Sequence, residues 1–285
     1  MTRFEARHQT MYETCVDELR GFVRGAGFSD VVIGLSGGLD SAVVAAMAVD
    51  ALGADHVHGV LLPGPYSSDH SVTDALDLAD RLGIEAPVVS ITEAYEAFAR
   101  AIAPVCGGEL AGLASENTQA RCRMVVIMAL SNAHGWMMLN TGNKSEAMMG
   151  YSTLYGDTAG AFAPIGGLYK TDVFACARWR NAHALEAGQV PPIPENIIAK
   201  PPSAELAPDQ EDERSLGVDY PTLDAILIEA MERHEGAGSE GHASAQDVSD
   251  ALGLPFDQVK RVLDRADAYA FKRALEPPYP QVKFY

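Results

Sequence analysis

Residues 31–41 read Val-Val-Ile-Gly-Leu-Ser-Gly-Gly-Leu-Asp-Ser, and this stretch decides the fold. Its three β-branched residues predict a short buried strand, and the glycine pair after Ser36 predicts a tight turn with few side chains. Asp40 and Ser41 then open an apolar helix. Backbone N–H groups in such a turn approach an anion closely, and the helix adds its unpaired first-turn N–H groups. The stretch therefore predicts a phosphate-binding loop.

Asp40 is the unusual residue of this loop. A carboxylate beside phosphates repels them unless a divalent cation lies between, so Asp40 is predicted to bind Mg²⁺. No lysine follows the glycines, so this is not the lysine-containing loop of the P-loop enzymes. The pattern Ser-Gly-Gly-x-Asp-Ser instead resembles the PP-loop of the ATP pyrophosphatase superfamily, which implies cleavage of ATP to AMP and pyrophosphate. An ordinary turn between a strand and a helix is the alternative.

Length and composition limit the class of protein. The 285 residues suffice for a full α/β core, and we expect one domain over residues 1–285. The 21 Lys and Arg residues against 39 Asp and Glu residues give a net charge of −18, which argues against a nucleic-acid or membrane partner. No signal peptide or long apolar segment is present, so a cytoplasmic protein is expected. The four cysteines lack metal-ligand spacing and are predicted to be reduced core thiols.

Strands and helices alternate along the first half of the chain. Apolar residues at helical spacing predict an N-terminal helix that ends at residues 25–27. Later patterns predict helices at 42–52, 71–82 and 116–134, strands at 57–62, 87–91 and 136–140, and a connector at 109–115. This alternation is typical of an α/β fold with a doubly wound, mostly parallel sheet flanked by helices. We expect an α/β core at 25–200, a lid at 203–216 and a helical part at 217–285.

A second loop, residues 141–146, repeats the order of strand, tight glycine turn, polar groups and helix. Because the loop follows a strand, Thr141 is placed to contact ATP, and Glu146 to give Mg²⁺ a second carboxylate. A partner for the dipole of the helix is the alternative for Glu146. Lys170 lies at the start of a later helix, where a cation opposes the dipole, so a phosphate partner is predicted for it.

Three further segments are candidates for ligand contacts. Arg121 lies near the start of an otherwise apolar helix, where a buried guanidinium needs an anion, either in a ligand or in a structural ion pair. Residues 150–157 form an irregular, aromatic-rich loop of the kind that holds flat rings. Residues 207–215 are acidic and poor in apolar residues, which indicates either a lid over the site or a plain solvated loop.

The C-terminal part has the pattern of a helix-turn-helix. Predicted helices at 244–252 and 256–270 are joined through Gly253. The second helix carries as many Asp residues as Lys and Arg residues, whereas a DNA reader would need a basic one. DNA binding is therefore not expected.

Taken together, these motifs resemble those of the NAD⁺ synthetase family, and the likeness covers almost the whole chain. The matching stretches begin at Gly34, Glu116, Thr141, Gly150, Leu168 and Pro202. The resemblance implies the adenine nucleotide α-hydrolase-like fold and a ligase that converts deamido-NAD (nicotinic acid adenine dinucleotide) to NAD⁺. In that reaction the nicotinate carboxylate attacks the α-phosphorus of ATP, pyrophosphate leaves, and ammonia displaces AMP.

The resemblance also implies roles for individual residues. The ATP contacts would come from Gly34, Leu35, Ser36, Gly37, Gly38, Leu39, Asp40, Ser41, Thr141, Lys170 and Ser203. Asp40 and Glu146 would hold Mg²⁺, with Lys170 as the catalytic cation. The deamido-NAD contacts would come from Arg121, Tyr155, Asp157 and Lys272. The family forms homodimers with sites at the interface, so a homodimer is expected.

The sequence departs from the ammonia-dependent members of that family. Those members usually carry Lys, Asp and His where Leu154, Ala161 and Phe271 stand here. Other motifs are more similar to the synthetase domain of the glutamine-dependent members, yet no glutaminase domain precedes residue 1. Ammonia, either free or supplied by a separate glutaminase, is therefore the expected nitrogen donor.

Two other classes of function are alternatives. One is another PP-loop enzyme, such as a GMP synthetase or a tRNA-thiolating enzyme, although the latter would favour paired cysteines and a basic surface. The other is a non-catalytic subunit that senses ATP or the dinucleotide. Because a sensor need not keep Asp40, Glu146 and Lys170 together, the enzyme is the favoured interpretation.

Overall fold

The computed structural model describes residues 3–208, 210–233 and 242–285. Its strands are β1 (Val31–Gly34), β2 (Val57–Val60) and β3 (Met137–Met138). Its helices are α1 (Arg3–Gly25), α2 (Leu39–Leu52), α3 (Asp69–Leu82), α4 (Thr92–Cys106), α5 (Gly112–His134), α6 (Lys144–Met149), α7 (Lys170–Glu186), α8 (Glu195–Ala199), α9 (Asp212–Leu216), α10 (Tyr220–Met231), α11 (Ala245–Leu252), α12 (Phe256–Ala268) and α13 (Ala270–Arg273). None of the helices in these ranges has the length and apolar character needed to span a lipid bilayer.

The strands form one parallel sheet with β1 in the centre, between β2 and β3. Val31 pairs with Val57 on one side and with Met137 on the other. Beyond β2 and β3, single parallel bridges involving residues 88 and 162 widen the sheet. The chain thus runs outward from β1 to one edge and later continues on the other side of β1. Such a reversal opens a crevice at the carboxyl ends of the central strands, where α/β proteins bind ligands.

Successive residues of β1 face opposite layers of helices, because side chains alternate along a strand. Val31 and Ile33 are fully buried in a core that they share with α1, α2, α3 and α7. Val32 is buried in a second core with Tyr95 of α4 and Ile127 of α5. Helices therefore cover both faces of the sheet, which confirms the predicted doubly wound α/β fold.

The C-terminal helices have a core of their own. Leu223 of α10, Val248 of α11 and Val259 of α12 are fully buried there, together with Met149 of α6. Gly253, with φ +65°, ends α11 and leads into α12, as the helix-turn-helix pattern predicts. Because α6 takes part in this core, the C-terminal helices support the loop that precedes it.

Some elements differ from the predicted ones. The helix α4 is not predicted, and the connector predicted at 109–115 is partly helical, since α5 begins at Gly112. The strand predicted at 136–140 pairs over two residues only. The strand predicted at 87–91 forms a single bridge, although the Leu61 N–H donates to the Pro87 carbonyl and the Val89 N–H to the Leu61 carbonyl.

The predicted lid and helical part extend over residues that the structure does not describe. Residue 209 of the lid and residues 234–241 of the helical part lie outside the described ranges. Of the four cysteines predicted in the core, three are buried, whereas Cys106 at the end of α4 is exposed. That part of the prediction is wrong, because Cys106 stands in a run of exposed residues at 104–109.

Candidate active site

Hydroxyl groups of the phosphate loop itself hold the turn between β1 and α2. Ser36 Oγ lies 3.1 Å from Ser41 Oγ, which donates to the Gly38 carbonyl at 3.1 Å. The Gly38 N–H in turn donates to Ser36 Oγ at 3.1 Å. Gly37 has φ +74°, which glycine adopts readily. No side chain caps the start of α2, so its first N–H groups are available to an anion.

Lys170, the first residue of α7, lies between the two carboxylates that the sequence predicts as Mg²⁺ ligands. Its side chain is 2% exposed. Its Nζ donates to Asp40 Oδ2 and, at 3.0 Å, to Glu146 Oε1. Asn143 supports both acids, since its Nδ2 donates to Asp40 Oδ1 at 3.0 Å and its Oδ1 accepts from the Glu146 N–H at 3.0 Å. The first turns of α2, α6 and α7 thus bring these charges together. In this structure Lys170 is partnered by two carboxylates, and the phosphate partner stays a prediction.

Asp224 of α10 fixes α6 against α7. Its buried carboxylate accepts from Ser145 Oγ and, at 2.8 Å, from the Thr171 N–H. The Lys170 N–H donates to Ser145 Oγ at 2.9 Å. Burial raises the pKa of Asp224 to about 6. The C-terminal helices therefore help to place Lys170.

The charges around Lys170 favour a further cation. Burial raises the pKa of Glu146 to about 8, although the charge of Lys170 opposes this. Burial alone would lower the pKa of Lys170, but the charges of Asp40 and Glu146 outweigh it, and the pKa is raised. Asp212 of α9 is also buried, and its charge acts on both Lys170 and Glu146. The charges of Asp40 and Asp212 also raise the pKa of Glu146, so a further cation at this point would favour the ionised form of Glu146.

The residues present fit Mg²⁺. This ion takes one or two protein carboxylates and completes its shell with water and phosphate oxygens. Asp40 and Glu146 supply two carboxylates that converge on one point, the Lys170 ammonium. Within the described ranges, no group of three or more His, Cys, Asp and Glu side chains is arranged to hold a metal by itself. The remaining ligands would therefore come from the nucleotide and water.

A cavity of about 790 Å³ opens beside the phosphate loop. This volume lies in the range of sites for small molecules and cofactors. The residues predicted from the sequence that line it are Gly34, Leu35, Ser36, Gly38, Leu39, Asp40, Ser41, Thr141, Glu146, Asp157, Lys170, Ser203 and Lys272. Gly37 instead packs against α3. Arg121 and Tyr155 do not line the cavity.

Asp157 and Lys272 contribute opposite charges to another part of the cavity wall. The Thr153 N–H donates to Asp157 Oδ1. Asp157 is open to the cavity, yet the protein that encloses it raises its pKa to about 6. Lys272 Nζ donates to the carbonyls of Gly150 at 2.7 Å and Ser152 at 2.6 Å, and partial burial lowers its pKa. This wall therefore offers one carboxyl group and one amine to a polar ligand.

Of the two arginines near the start of α5, Arg123 lines the cavity and Arg121 does not. The prediction of a buried Arg121 is wrong, because its side chain is exposed and its Nε donates to the Leu154 carbonyl at 3.1 Å. Arg123 donates to the Leu62 carbonyl at 3.0 Å and to Ser67 Oγ at 3.4 Å, and burial lowers its pKa. Residues two apart on a helix point in nearly opposite directions, so only one of the pair can face the cavity.

The loop at 150–157 contributes an aromatic ring to the cavity, but from a different residue than predicted. Tyr155 is 65% exposed, and its backbone has φ +60°. Tyr151 of the same loop lines the cavity, as do Tyr269 and Tyr279 from the C-terminal part. Flat surfaces are thus present in the wall, but Tyr155 is not one of them.

Asn143, Glu205 and Asp212 belong to the site and are not among the residues predicted from the sequence. Asn143 stands three residues before Glu146, which is the spacing of a helix N-cap, and this signal could have revealed it. Glu205 lies in the matching stretch that begins at Pro202, and Asp212 lies in the acidic stretch at 207–215, where no sequence pattern distinguishes one carboxyl group from the next.

The fold and the site together define a class of protein. A doubly wound parallel sheet, whose central strand leads into a lysine-free Ser-Gly-Gly-x-Asp-Ser loop beside a cavity, is the PP-loop, or adenine nucleotide α-hydrolase, fold of nucleotide-binding proteins. The chain belongs to the NAD synthase family, whose sequence description matches residues 11–276. The resemblance inferred from the motifs is confirmed.

Relatives of both nitrogen-donor types are similar to this chain. The glutamine-dependent NAD(+) synthetase of Thermotoga maritima is 46% identical over 238 residues, which cover 84% of this chain and 40% of that protein. The structure of glutamine-dependent NAD+ synthetase from Acinetobacter baumannii in complex with ADP has a TM-score of 0.65 and 35% identity, covering 96% of this chain and 47% of that one. The NH3-dependent NAD synthetase from Campylobacter jejuni has a TM-score of 0.68 and 29% identity, with coverages of 93% and 96%. The chain thus spans about half the length of the glutamine-dependent relatives.

Proposed function

We propose that this chain is a carbon–nitrogen ligase that amidates deamido-NAD to NAD⁺. It uses ATP and ammonia, proceeds through an adenylated intermediate, and releases AMP and pyrophosphate. The observation that carries the proposal is the meeting of Asp40, Glu146 and Lys170 beside the phosphate loop in the 790 Å³ cavity. The names of the relatives in the NAD synthase family support the same reaction.

The phosphate loop binds ATP in this proposal. The uncapped N–H groups at the start of α2 hold the phosphates, and Thr141 and Ser203 contact the nucleotide from neighbouring walls of the cavity. The Lys170 ammonium has three N–H donors, of which two bond to carboxylates, so one is left for a phosphate oxygen. Catalysis then depends on positioning and on stabilisation of charge, without a covalent nucleophile.

Asp40 and Glu146 hold Mg²⁺ in this proposal, and the bound ion would neutralise phosphate charge. Lys170 contributes before that ion is present, because its ammonium opposes the burial that raises the pKa of Glu146 to about 8. Its bonds to Asp40 and Glu146 hold both side chains in the position that a cation and a nucleotide require, and a bound cation would favour the ionised form of Glu146 further.

Deamido-NAD occupies the rest of the cavity. Its nicotinate carboxylate must reach the α-phosphorus, which places that end of the substrate beside the phosphate loop. Asp157 and Lys272 contact the dinucleotide in the other part of the wall. Arg121 and Tyr155 are exposed beside the cavity, and we assign them to a portion of the substrate that a second subunit covers.

A homodimer is part of the proposal. Four large apolar side chains of α4 and α5 are exposed, namely Phe98, Val105, Leu113 and Val125. Their exposed fractions run from 55% to 86%. A cluster of exposed apolar groups of this kind is typical of an interaction surface, which supports association through these helices.

The proposed nitrogen donor is ammonia, either free or delivered by a separate glutaminase. The similarity to the NH3-dependent protein over almost its whole length supports the first source. The higher identity to the glutamine-dependent relatives supports the second.

The test is to incubate the purified chain with ATP, Mg²⁺ and deamido-NAD, with ammonium in one tube and glutamine in another, and to quantify NAD⁺, AMP and pyrophosphate. We expect NAD⁺ with ammonium. Asp40→Ala should abolish turnover, whereas Asp257→Ala, which removes an exposed carboxyl group on α12, should not. ATP binding without NAD⁺ or AMP in either tube would contradict the proposal and favour a sensor. Turnover only with a different carboxylate acceptor would favour another PP-loop enzyme.

A further inference from the structure

Residues 200–208, here called the strap, form part of the cavity wall and carry Ser203. Hydrogen bonds join the strap to the segment that follows it: Ser203 Oγ donates to the Gln210 carbonyl at 2.5 Å, and the Asp212 N–H donates to the Pro202 carbonyl at 3.1 Å. Gln119 Nε2 donates to the Leu206 carbonyl at 3.0 Å. The Leu206 N–H donates to Gln210 Oε1 at 2.9 Å, which keeps the turn itself in shape. The position of Ser203 therefore depends on a small number of contacts.

Glu205 makes the largest set of these contacts. Its Oε1 accepts from Ser68 Oγ at 2.9 Å and from Ser71 Oγ at 2.7 Å, and its Oε2 accepts from the Ser68 N–H at 3.2 Å. The backbone of Glu205 has φ +48°, a conformation that costs free energy in a residue other than glycine. The hydrogen bonds of the carboxylate must offset this cost in free energy, so they hold Glu205 in one defined position.

Glu205 is bonded to the first turn of α3, and the phosphate loop packs against the same turn. A Cβ atom at Gly37 would lie 2.2 Å from the Ser71 carbonyl oxygen, so the two backbones are in direct contact. Lys200, at the start of the strap, donates to Ser71 Oγ and to Asp74 Oδ2, each at 3.1 Å. One turn of α3 therefore supports the phosphate loop on one side and anchors the strap on the other.

We propose that Glu205 is a positioning residue for the reaction: by clamping the strap to Ser68 and Ser71, it fixes Ser203 in relation to the phosphate loop. Glu205 does not act on the reacting atoms. The inference rests on the proposed function for its kinetic consequence, whereas its structural consequence stands on the contacts alone.

The first measurement is amide hydrogen exchange of the strap, made without any substrate and compared between the wild type and Glu205→Ala. Loss of three hydrogen bonds to a charged group should increase exchange in residues 203–208 about tenfold or more. Exchange in α12, whose apolar residues pack in the C-terminal core, should not change. The second measurement is the affinity for ATP by calorimetry, which needs no turnover and should fall about tenfold in Glu205→Ala.

The third measurement is steady-state kinetics. If the closed strap is the form that binds ATP and the closed fraction falls to about one tenth, KM for ATP rises about tenfold, while kcat changes less than about threefold. Glu205→Gln keeps the Oε1 acceptor for both serine hydroxyls and should recover most of the affinity. Glu205→Gly removes the backbone strain as well as the carboxylate, and should resemble Glu205→Ala.

Each outcome decides the inference. Unchanged exchange together with an unchanged KM in Glu205→Ala would overturn it. Wild-type behaviour of Glu205→Gly would also overturn it, because the residue would then serve only the turn. If the wild type makes no NAD⁺, but exchange and ATP affinity respond to Glu205→Ala as expected, the proposed reaction fails while the clamp stands.

Discussion

Glu146 Oε1 lies 3.0 Å from the Nζ of Lys170, and the same ammonium bonds to Asp40, so three charges from separate helices share one buried point. Each of the three residues belongs to the first turn of its helix. The site is thus assembled by the convergence of helix starts at one edge of the sheet, and its stability and its chemistry depend on the same side chains.

Replacement of Lys170 by Met tests this dependence. Removal of one partner from a buried ion pair typically costs about 3–5 kcal/mol, because the remaining charges lose their compensation. We expect a loss of that order in the free energy of unfolding, measured with urea, together with loss of ATP turnover. Lys260→Met removes an exposed cation that bonds to Asp264 and should cost about 0.5 kcal/mol or less. Equal losses of unfolding free energy in Lys170→Met and Lys260→Met would contradict the conclusion that Lys170 compensates the charges of Asp40 and Glu146.

Gly37→Ala tests the close approach between the phosphate loop and α3. Gly37 and Gly27 both have positive φ, +74° and +82°, so alanine at either position pays for backbone strain, about 1 kcal/mol. Only at Gly37 does the new Cβ meet a backbone oxygen, whereas nothing lies within 4 Å of the position at Gly27. Gly37→Ala should therefore cost about 1–3 kcal/mol more than Gly27→Ala.

The same pair of variants gives a functional readout. Gly37→Ala should weaken ATP binding at least about tenfold, which calorimetry can measure and which corresponds to about 1.4 kcal/mol. Gly27→Ala should bind ATP like the wild type, because residue 27 lies before β1 and away from the cavity. Similar ATP affinities in the two variants would show that the loop tolerates displacement from α3.

The cysteines should differ sharply in reactivity. Cys106 is exposed, whereas Cys15, Cys122 and Cys176 are buried. Burial raises the pKa of Cys15 to about 12 and raises the pKa values of Cys122 and Cys176. Because the thiolate is the reactive form, iodoacetamide at pH 8 should label the folded chain once and the unfolded chain four times by intact mass. Cys106→Ser should remain unlabelled while folded; a fast first label in that variant would contradict the burial.

Asp224→Asn tests a pH dependence. Burial raises the pKa of Asp224 from its ordinary 3.8 to about 6, so the folded chain holds this proton more tightly than the unfolded chain does. This tighter binding of the proton stabilises the folded chain fully below about pH 4. The stabilisation is lost as the pH rises from about 4 to about 6, and above about pH 6 the free energy of unfolding no longer changes through this group. The shift of about 2 units corresponds to about 3 kcal/mol.

The measurement is the difference in unfolding free energy between the wild type and Asp224→Asn, followed from pH 4 to pH 7. We expect the wild type to lose up to about 3 kcal/mol relative to the variant over this range. Asp257→Asn, at an exposed position, serves as the control and should run parallel to the wild type. If the difference in unfolding free energy between the wild type and Asp224→Asn stays constant from pH 4 to pH 7, the pKa of Asp224 is the same in the folded and unfolded chains, which would contradict the prediction.

The sequence predicts the phosphate loop because its chemistry leaves little choice of residues. A tight turn needs glycines such as Gly37, and a carboxylate such as Asp40 beside phosphates needs a cation, so both functions are visible without a structure. The helix α4 is different. Its apolar residues Tyr95, Ala99 and Ile102 do recur at helical spacing, but they stand in a stretch that also holds Pro104, a residue usually found outside helices.

Tertiary packing decides what local patterns leave open. Arg121 and Arg123 have similar neighbours in the sequence, and the burial of Cys122 and Ile127 in the core under the sheet selects which guanidinium reaches the cavity. Likewise, nothing local to Glu205 indicates its bonds to Ser68 and Ser71, more than 130 residues away.

The order of the strands has a practical consequence. The site residues follow the carboxyl ends of β1 and β3, whereas the turn at residues 53–56 leads into β2 from the opposite edge. A four-residue strand separates the two edges by about 13 Å. Gly53 has φ +91°, which disfavours a side chain there, whereas Asp55 in the same turn is exposed and has no positive φ. A fluorophore, an affinity tag or a surface linkage at Asp55 would therefore leave the cavity open, so this edge is suited to immobilising the protein.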